Sequence, residues 1–194
     1  LMAVQPTSPA KTRGEPMAPP RARPGNMTFA TLGGQMPFWN ALLFNSMARI
    51  KAIEIPYKAV ADAAVDVMAG RVDYYFAPSA AAAANKARLR ALGITSGSRS
   101  AAFPDIPTIA EAGVPGYDLP AWRSIMGPAG VRRDIVDSLN GAIRRALAMP
   151  DIREKMLTAG SEPAPSSPEE LRKRYADWIT IFNKVAQEAG VKPQ

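Results

Sequence analysis

The chain has 194 residues, 47% of them hydrophobic and 21% charged, enough apolar material for one large domain or two small lobes. It contains neither cysteine nor histidine, which excludes disulfides, thiolate nucleophiles, Cys/His zinc sites and Ser-His relays. A net charge of +7 points to an anionic partner. The basic residues, however, come as short groups on different predicted elements: Arg88/Arg90, Arg132/Arg133, Arg144/Arg145 and Arg172/Lys173/Arg174. Without aromatic-basic interleaving they read as solvated helix faces rather than a nucleic-acid surface.

No apolar run approaches the roughly 18 residues of a membrane span, so direct membrane insertion is not expected. The opening LMAVQPTSPA lacks the basic-then-apolar pattern of a secretory leader. A leader has been removed, or the chain starts downstream of its natural beginning. Neither G-x-x-x-x-G-K-[ST] nor G-x-G-x-x-G occurs, and no cofactor is expected. A carboxylate-based enzyme would need converging acids, but Asp62, Asp66 and Asp73 fall on a helix start, a helix and a strand.

In chain order, Pro6, Pro9, Pro16, Pro19, Pro20 and Pro24 make residues 1–26 an extended or loose segment. Thr28 to Thr31 reads as a strand, and Leu32 to Met36 as a loop. Pro37 then opens a helix to about Ala48 with Phe38, Leu42 and Leu43 on one side. Ile53, Ile55 and Tyr57 alternate as a strand. Ala61, Ala64, Val65 and Met68 stripe a helix ended by Gly70. Val72 to Phe76, an alanine-rich helix and a strand around Leu89 to Thr95 complete a strand-helix alternation, which predicts an α/β fold with a parallel sheet.

Thr108 to Glu111 is a capping box for a short helix ending at Gly113, and a lobe boundary is expected near Pro120. The remainder predicts helices. Val136, Leu139, Ile143 and Leu147 mark one, and Ile152 and Met156 a second, closed by Gly160. The last starts at the capping box Ser167-Pro168-Glu169-Glu170 and carries Leu171, Tyr175, Trp178, Phe182 and Val185 on one apolar face.

Several stretches together resemble the substrate-binding receptors of tripartite tricarboxylate transporters, the Bug-type family. They are Ile55-Pro56-Tyr57-Lys58, the run from Gly70 to Pro78, Leu89-Arg90-Ala91-Leu92, the run from Phe103 to Tyr117, Trp122, Gly127 to Gly130 and Ser167 to Glu170. The order and spacing carry the resemblance, with P-D-x-P-T-x-A-E-A-G-x-P-G-Y its strongest marker; Pro6 to Thr12 and Arg23 to Gly25 fit as well.

The resemblance implies a two-lobed, type 2 periplasmic-binding-protein-like fold that captures small carboxylates and hands them to a membrane permease, without catalysis. It maps residues 27–120 to a continuous ligand-binding lobe, and residues 1–26 and 121–194 to parts of a split lobe. It also implies a periplasmic location and a missing N-terminal part, hence weak binding and an uncovered apolar face on the last helix. A nucleic-acid-binding or ligand-sensing regulatory module on a similar fold is the alternative.

Two readings of the site residues stand side by side. Leu32 to Met36 is either an ordinary strand-helix turn or an anion site, in which Gly33 and Gly34 admit close backbone approach and the helix start offers free N–H groups. Ala77-Pro78-Ser79 follows a strand at the edge where α/β ligands bind. Tyr57 and Lys58 end the neighbouring strand. With the resemblance, the expected ligand-binding set is Thr31, Gly33, Gly34, Gln35, Met36, Tyr57, Lys58, Ala77 and Ser79. Gln35 and Met36 replace the small polar residues usual in the family, so a monocarboxylate or aromatic acid is expected to fit better than citrate.

Overall fold

The computed structural model describes residues 1–8 and 27–191. Its strands are Met2–Val4 (β1), Met27–Thr31 (β2), Ala52–Pro56 (β3), Tyr74–Phe76 (β4) and Arg90–Gly93 (β5), joined in one sheet of order β3-β2-β4-β1-β5. The helices are Met36–Ala48 (α1), Val60–Met68 (α2), Ser79–Ala84 (α3), Arg133–Ala148 (α4), Pro150–Thr158 (α5) and Pro168–Ala189 (α6). Strand β2 pairs in parallel with β3 and β4. Strand β1 is antiparallel to both β4 and β5, so β5 runs with β2, β3 and β4. The fold is α/β with a mainly parallel sheet, as strand-helix alternation demands, because parallel neighbours need crossover connections.

Strand β1 is where the structure departs from the sequence reading. Residues 1–26 were expected to go with the split lobe, yet Met2, Ala3 and Val4 are fully buried inside this sheet, paired on both edges. The rest of the proline-rich segment, residues 9–26, lies outside the described residues.

The core has two halves, one on each sheet face. On one, Met2, Val4, Phe29, Tyr74, Phe76 and Leu92 pack with Ala41 and Phe44 of α1 and with Ile109, Tyr117 and Leu119. On the other, Ala3, Ala30 and Tyr75 pack with Ala63, Ala64 and Val67 of α2. Alternation along each strand sends neighbours to opposite faces, which sorts the residues this way.

The buried helix faces match expectation in part. Helix α1 buries Asn40, Ala41 and Phe44, with Leu42 and Leu43 partly buried against the same core. Helix α2 buries Ala63, Ala64 and Val67, and leaves Val65 exposed. Helix α1 is apolar on most sides, so spacing alone does not select its face. The Thr108–Glu111 capping box forms, with Thr108 N–H to Glu111 Oε2 at 2.9 Å and Glu111 N–H to Thr108 Oγ1 at 3.0 Å, but closes a turn rather than a helix.

Helix α6 follows the sequence closely. Its Ser167–Glu170 capping box is complete, and its 22 residues span about 33 Å. Its aromatic face is covered rather than bare: Trp178, Ile181 and Phe182 pack against the α1 side of the core. Trp122 lies against Tyr175 and Trp178, with ring centroids 4.7 and 4.6 Å away. The uncovered apolar surface lies elsewhere. Helices α4 and α5 bury no residue, Ile135 and Leu139 of α4 are exposed, and Ile125 and Met126 are 74% and 63% exposed.

Helix α1 ends in a left-handed residue that is not glycine. Arg49 has φ 54° and ψ 44°, and its N–H reaches Asn45 O and Ser46 O. This geometry strains any residue with a Cβ. Arg49→Gly is expected to raise stability by about 1 kcal/mol, read as a melting temperature some 2–4 °C higher.

Candidate functional site

Because β2, β3 and β4 are parallel, their carboxyl ends share one edge of the sheet. Thr31 closes β2 level with Pro56 of β3, and the β2–β4 register brings Phe76 to the same height. Neighbouring strands lie about 4.8 Å apart, which gathers Thr31, Tyr57 and Ala77 along a short arc. Tyr57 extends the ladder by donating its N–H to Thr31 O at 2.9 Å. Leu1 joins from the antiparallel side, where Ala77 donates its N–H to Leu1 O at 2.8 Å.

Above this edge rises the loop between β2 and α1. Leu32 is buried beneath it, while Gly33, Gly34 and Gln35 are exposed. Both glycines are left-handed, with φ +34° and +66°, and nothing stands within 4 Å of where a Cβ would be. They bend the strand sharply into the helix and leave the space before the loop open. Gln35 is the N-cap but makes no side-chain cap, and Pro37 lies in the first turn. The N–H groups of Gly33, Gly34 and Met36 have no partner among the described residues. Such groups, with the positive end of the helix dipole, form a cradle for an anion.

The side chains at this edge are arranged differently from their backbones. Thr31 is fully buried, and its hydroxyl donates to Glu54 Oε1 at 2.5 Å on the neighbouring strand. The Tyr57 hydroxyl donates to Asp66 Oδ2 at 2.6 Å, and Arg71 Nε holds the same carboxylate at 2.9 Å. Burial, then this hydrogen bond, pushes the Tyr57 phenol up to about 12. The hydrogen bonds from Tyr57 and then Arg71 hold Asp66 below the usual carboxylate range. Both hydroxyl protons are thus committed within the protein. Lys58 is exposed and forms no ion pair among the described residues. Met36 is half-buried against the core. Ala77 is buried, and Ser79 begins the six-residue α3.

Four features that the sequence reading did not single out shape this edge. Trp39 donates its indole N–H to Gly34 O at 3.1 Å. Glu54 places an acid beside Thr31. Gly97, in the loop after β5, donates its N–H to Asp118 Oδ1 at 2.7 Å. Gly160 approaches Ser79 and Phe103 so closely that a Cβ there would meet Ser79 Cβ at 3.1 Å. An acid alternating on an edge strand and a tryptophan one turn after a glycine pair were the available signals, but their partners lie on other elements.

Elsewhere some of the surface charge is paired in place: Arg99 with Glu111, Arg132 with Asp134, Arg133 with Asp137 and Glu169, and Lys173 with Asp177. Among the described residues no group of three or more acids is placed to hold a metal ion, and no helix is long and apolar enough to cross a membrane.

Replacement of Gly34 by Val imposes a β-branched side chain on φ +66°. If the loop serves as an anion site, Gly34→Val is expected to distort it and weaken binding of a small carboxylate at least several-fold, with far-UV circular dichroism unchanged. Calorimetric titration of both proteins with the same acid checks this.

Comparison with known proteins assigns the chain. It is 36% identical over 172 residues to the UPF0065 protein in the tcbD-tcbE intergenic region of Pseudomonas sp. strain P51, covering 87% of this chain and 51% of that protein. It is 34% identical over 176 residues to Protein BugT of Bordetella pertussis, covering 89% and 54%. Among solved structures, R. palustris Rpa4515 with adipate superposes with TM-score 0.80 at 28% identity, covering all of this chain and 66% of that one. MatC from Rhodopseudomonas palustris with bound malate gives 0.75 at 25%, covering 95% and 65%. The chain thus spans about half the length of these sequence relatives and two thirds of these structures. Residues 1–191 match the family described as Tripartite tricarboxylate transporter family receptor, and the chain belongs to that family.

Proposed function

We propose that this chain is the ligand-binding part of a periplasmic solute receptor that captures a small carboxylate and passes it to the permease of a tripartite tricarboxylate transporter. The observation that carries the reading is the Gly33–Met36 loop, which offers unpaired backbone N–H groups at the shared carboxyl edge of three parallel strands. Similar chains were solved with adipate and with malate, both carboxylates. Backbone N–H groups suit carboxylates in general, and Lys58 adds a nearby positive charge.

On this reading residues 27–120 and strand β1 form the lobe that carries the ligand loop, and residues 121–194 belong largely to a second lobe. Gln35 and Met36 stand where the family usually has small polar residues, which favours a monocarboxylate or aromatic acid over citrate. Enclosure from two sides is what gives such receptors high affinity, since donors must replace the water that the anion loses. The described residues present one donor loop. The 194-residue chain alone is therefore expected to bind no better than about millimolar.

Thermal melting with benzoate, adipate, malate, citrate and a DNA duplex tests the proposal. Stabilisation by one or more acids at tens of millimolar, and none by DNA, is the expected result. A shift with DNA alone would overturn it.

A further inference from the structure

We propose that Trp39 locks the Gly34–Gln35 peptide in the orientation that anion binding requires, and that its stacking on Phe182 ties this lock to the C-terminal helix. The proposal rests on the carboxylate reading of the loop and names a positioning residue for it. Gly33 and Gly34 both have positive φ and open space around them. Glycine peptides in such a loop can rotate, exchanging the directions in which C=O and N–H point. In the structure the N–H of this peptide, on Gln35, donates to Leu32 O at 3.4 Å, and the Gly33, Gly34 and Met36 N–H groups stay unpaired among the described residues; a rotated peptide would instead turn the Gly34 carbonyl oxygen towards an incoming carboxylate, which it repels. The Trp39 indole N–H holds the Gly34 carbonyl at 3.1 Å, against the first turn of α1. The carbonyl oxygen is thereby kept occupied by the helix.

The indole is itself held by α6. Its ring centroid lies 4.8 Å from that of Phe182 at an interplanar angle of 32°. Phe182 packs on Trp178 at 5.3 Å, and Trp178 on Trp122 at 4.6 Å. A line of rings therefore runs from the ligand loop along α6 to the segment just beyond Pro120. The chain also pins the far end of α1 to α6, where Ser46 Oγ donates to Glu188 Oε2 at 2.5 Å. A shift of α6 along α1 would move Phe182 and release or tighten the indole.

Trp39→Phe keeps an aromatic ring against Phe182 and removes only the N–H donor; Phe182→Leu keeps the donor and loosens the stack. In the unliganded 194-residue chain, 15N relaxation at Gly33, Gly34 and Gln35 is expected to match that of α1. It should show added motion in Trp39→Phe and a smaller rise in Phe182→Leu. Titration with benzoate and adipate is expected to show affinity reduced roughly three- to tenfold in Trp39→Phe, the worth of one hydrogen bond, with the melting temperature little changed. Unchanged loop relaxation and affinity within twofold in Trp39→Phe would overturn the lock. Should that variant fail to fold, incorporation of benzothienylalanine at position 39, with sulfur in place of N–H, gives the same decision. If neither acid binds the parent chain, the carboxylate reading falls, while the relaxation data still decide whether Trp39 holds the loop.

Discussion

The sheet depends on three residues that reach it from the start of the chain. Strands β4 and β5 belong to one strand-helix-strand unit yet do not touch, because Met2–Val4 fills the gap between them in the opposite direction. Without β1, both β4 and β5 would present an unpaired edge in the middle of the lobe, a costly exposure of backbone donors and acceptors. The strand also serves both halves of the core at once, with Met2 and Val4 on the α1 face and Ala3 on the α2 face. Its direction brings Leu1 to the carboxyl edge, where it pairs with Ala77 and fixes the height of the loop that leads to Ser79.

The loop between β2 and α1 is positioned by a second set of contacts, between α1 and the sheet. Tyr74 donates its hydroxyl to Asn45 Oδ1 at 2.5 Å, and Tyr117 to Asn40 Oδ1 at 2.6 Å. Burial raises both phenols well above their usual pKa, so both remain donors. Two polar pairs inside an apolar layer, each satisfied, fix the helix in register and rotation more narrowly than apolar packing alone. Asn40 also bonds its own helix, donating to Met36 O at 2.9 Å. The first turn of α1 is therefore tied from below by Tyr117, from within by Asn40 and from the side by Trp39 and α6.

Much of this was legible in the sequence, where the determinants are local. Pro37 and the Ser167–Glu170 box mark helix starts by chemistry that needs no partner, and the alternation of strands with helices requires parallel pairing. The glycine pair announced the bend from β2 into α1. What the sequence did not reveal depends on distant residues. Strand β1 is too short for periodicity to register and precedes a proline-rich stretch; it is a strand only because β4 and β5 provide its ladders. The buried faces of α1 and α2 are set by what lies across from them. Thr31 and Tyr57 were expected in the ligand-binding set from their place at the strand ends and from the family resemblance; their hydroxyls donate to Glu54 and Asp66, and neither pairing is encoded in local spacing.

One consequence follows from a cleft edge whose available donors are main-chain amides. Amides do not ionise at any acidity that a bacterium meets, the phenol of Tyr57 stays protonated up to about 12, and the chain contains no imidazole. On the proposed function, the donors of this loop keep the same charge from mildly acidic to mildly alkaline surroundings. The hold of the loop on a carboxylic acid would then follow the ionisation of the acid itself, weakening only where the acid regains its proton.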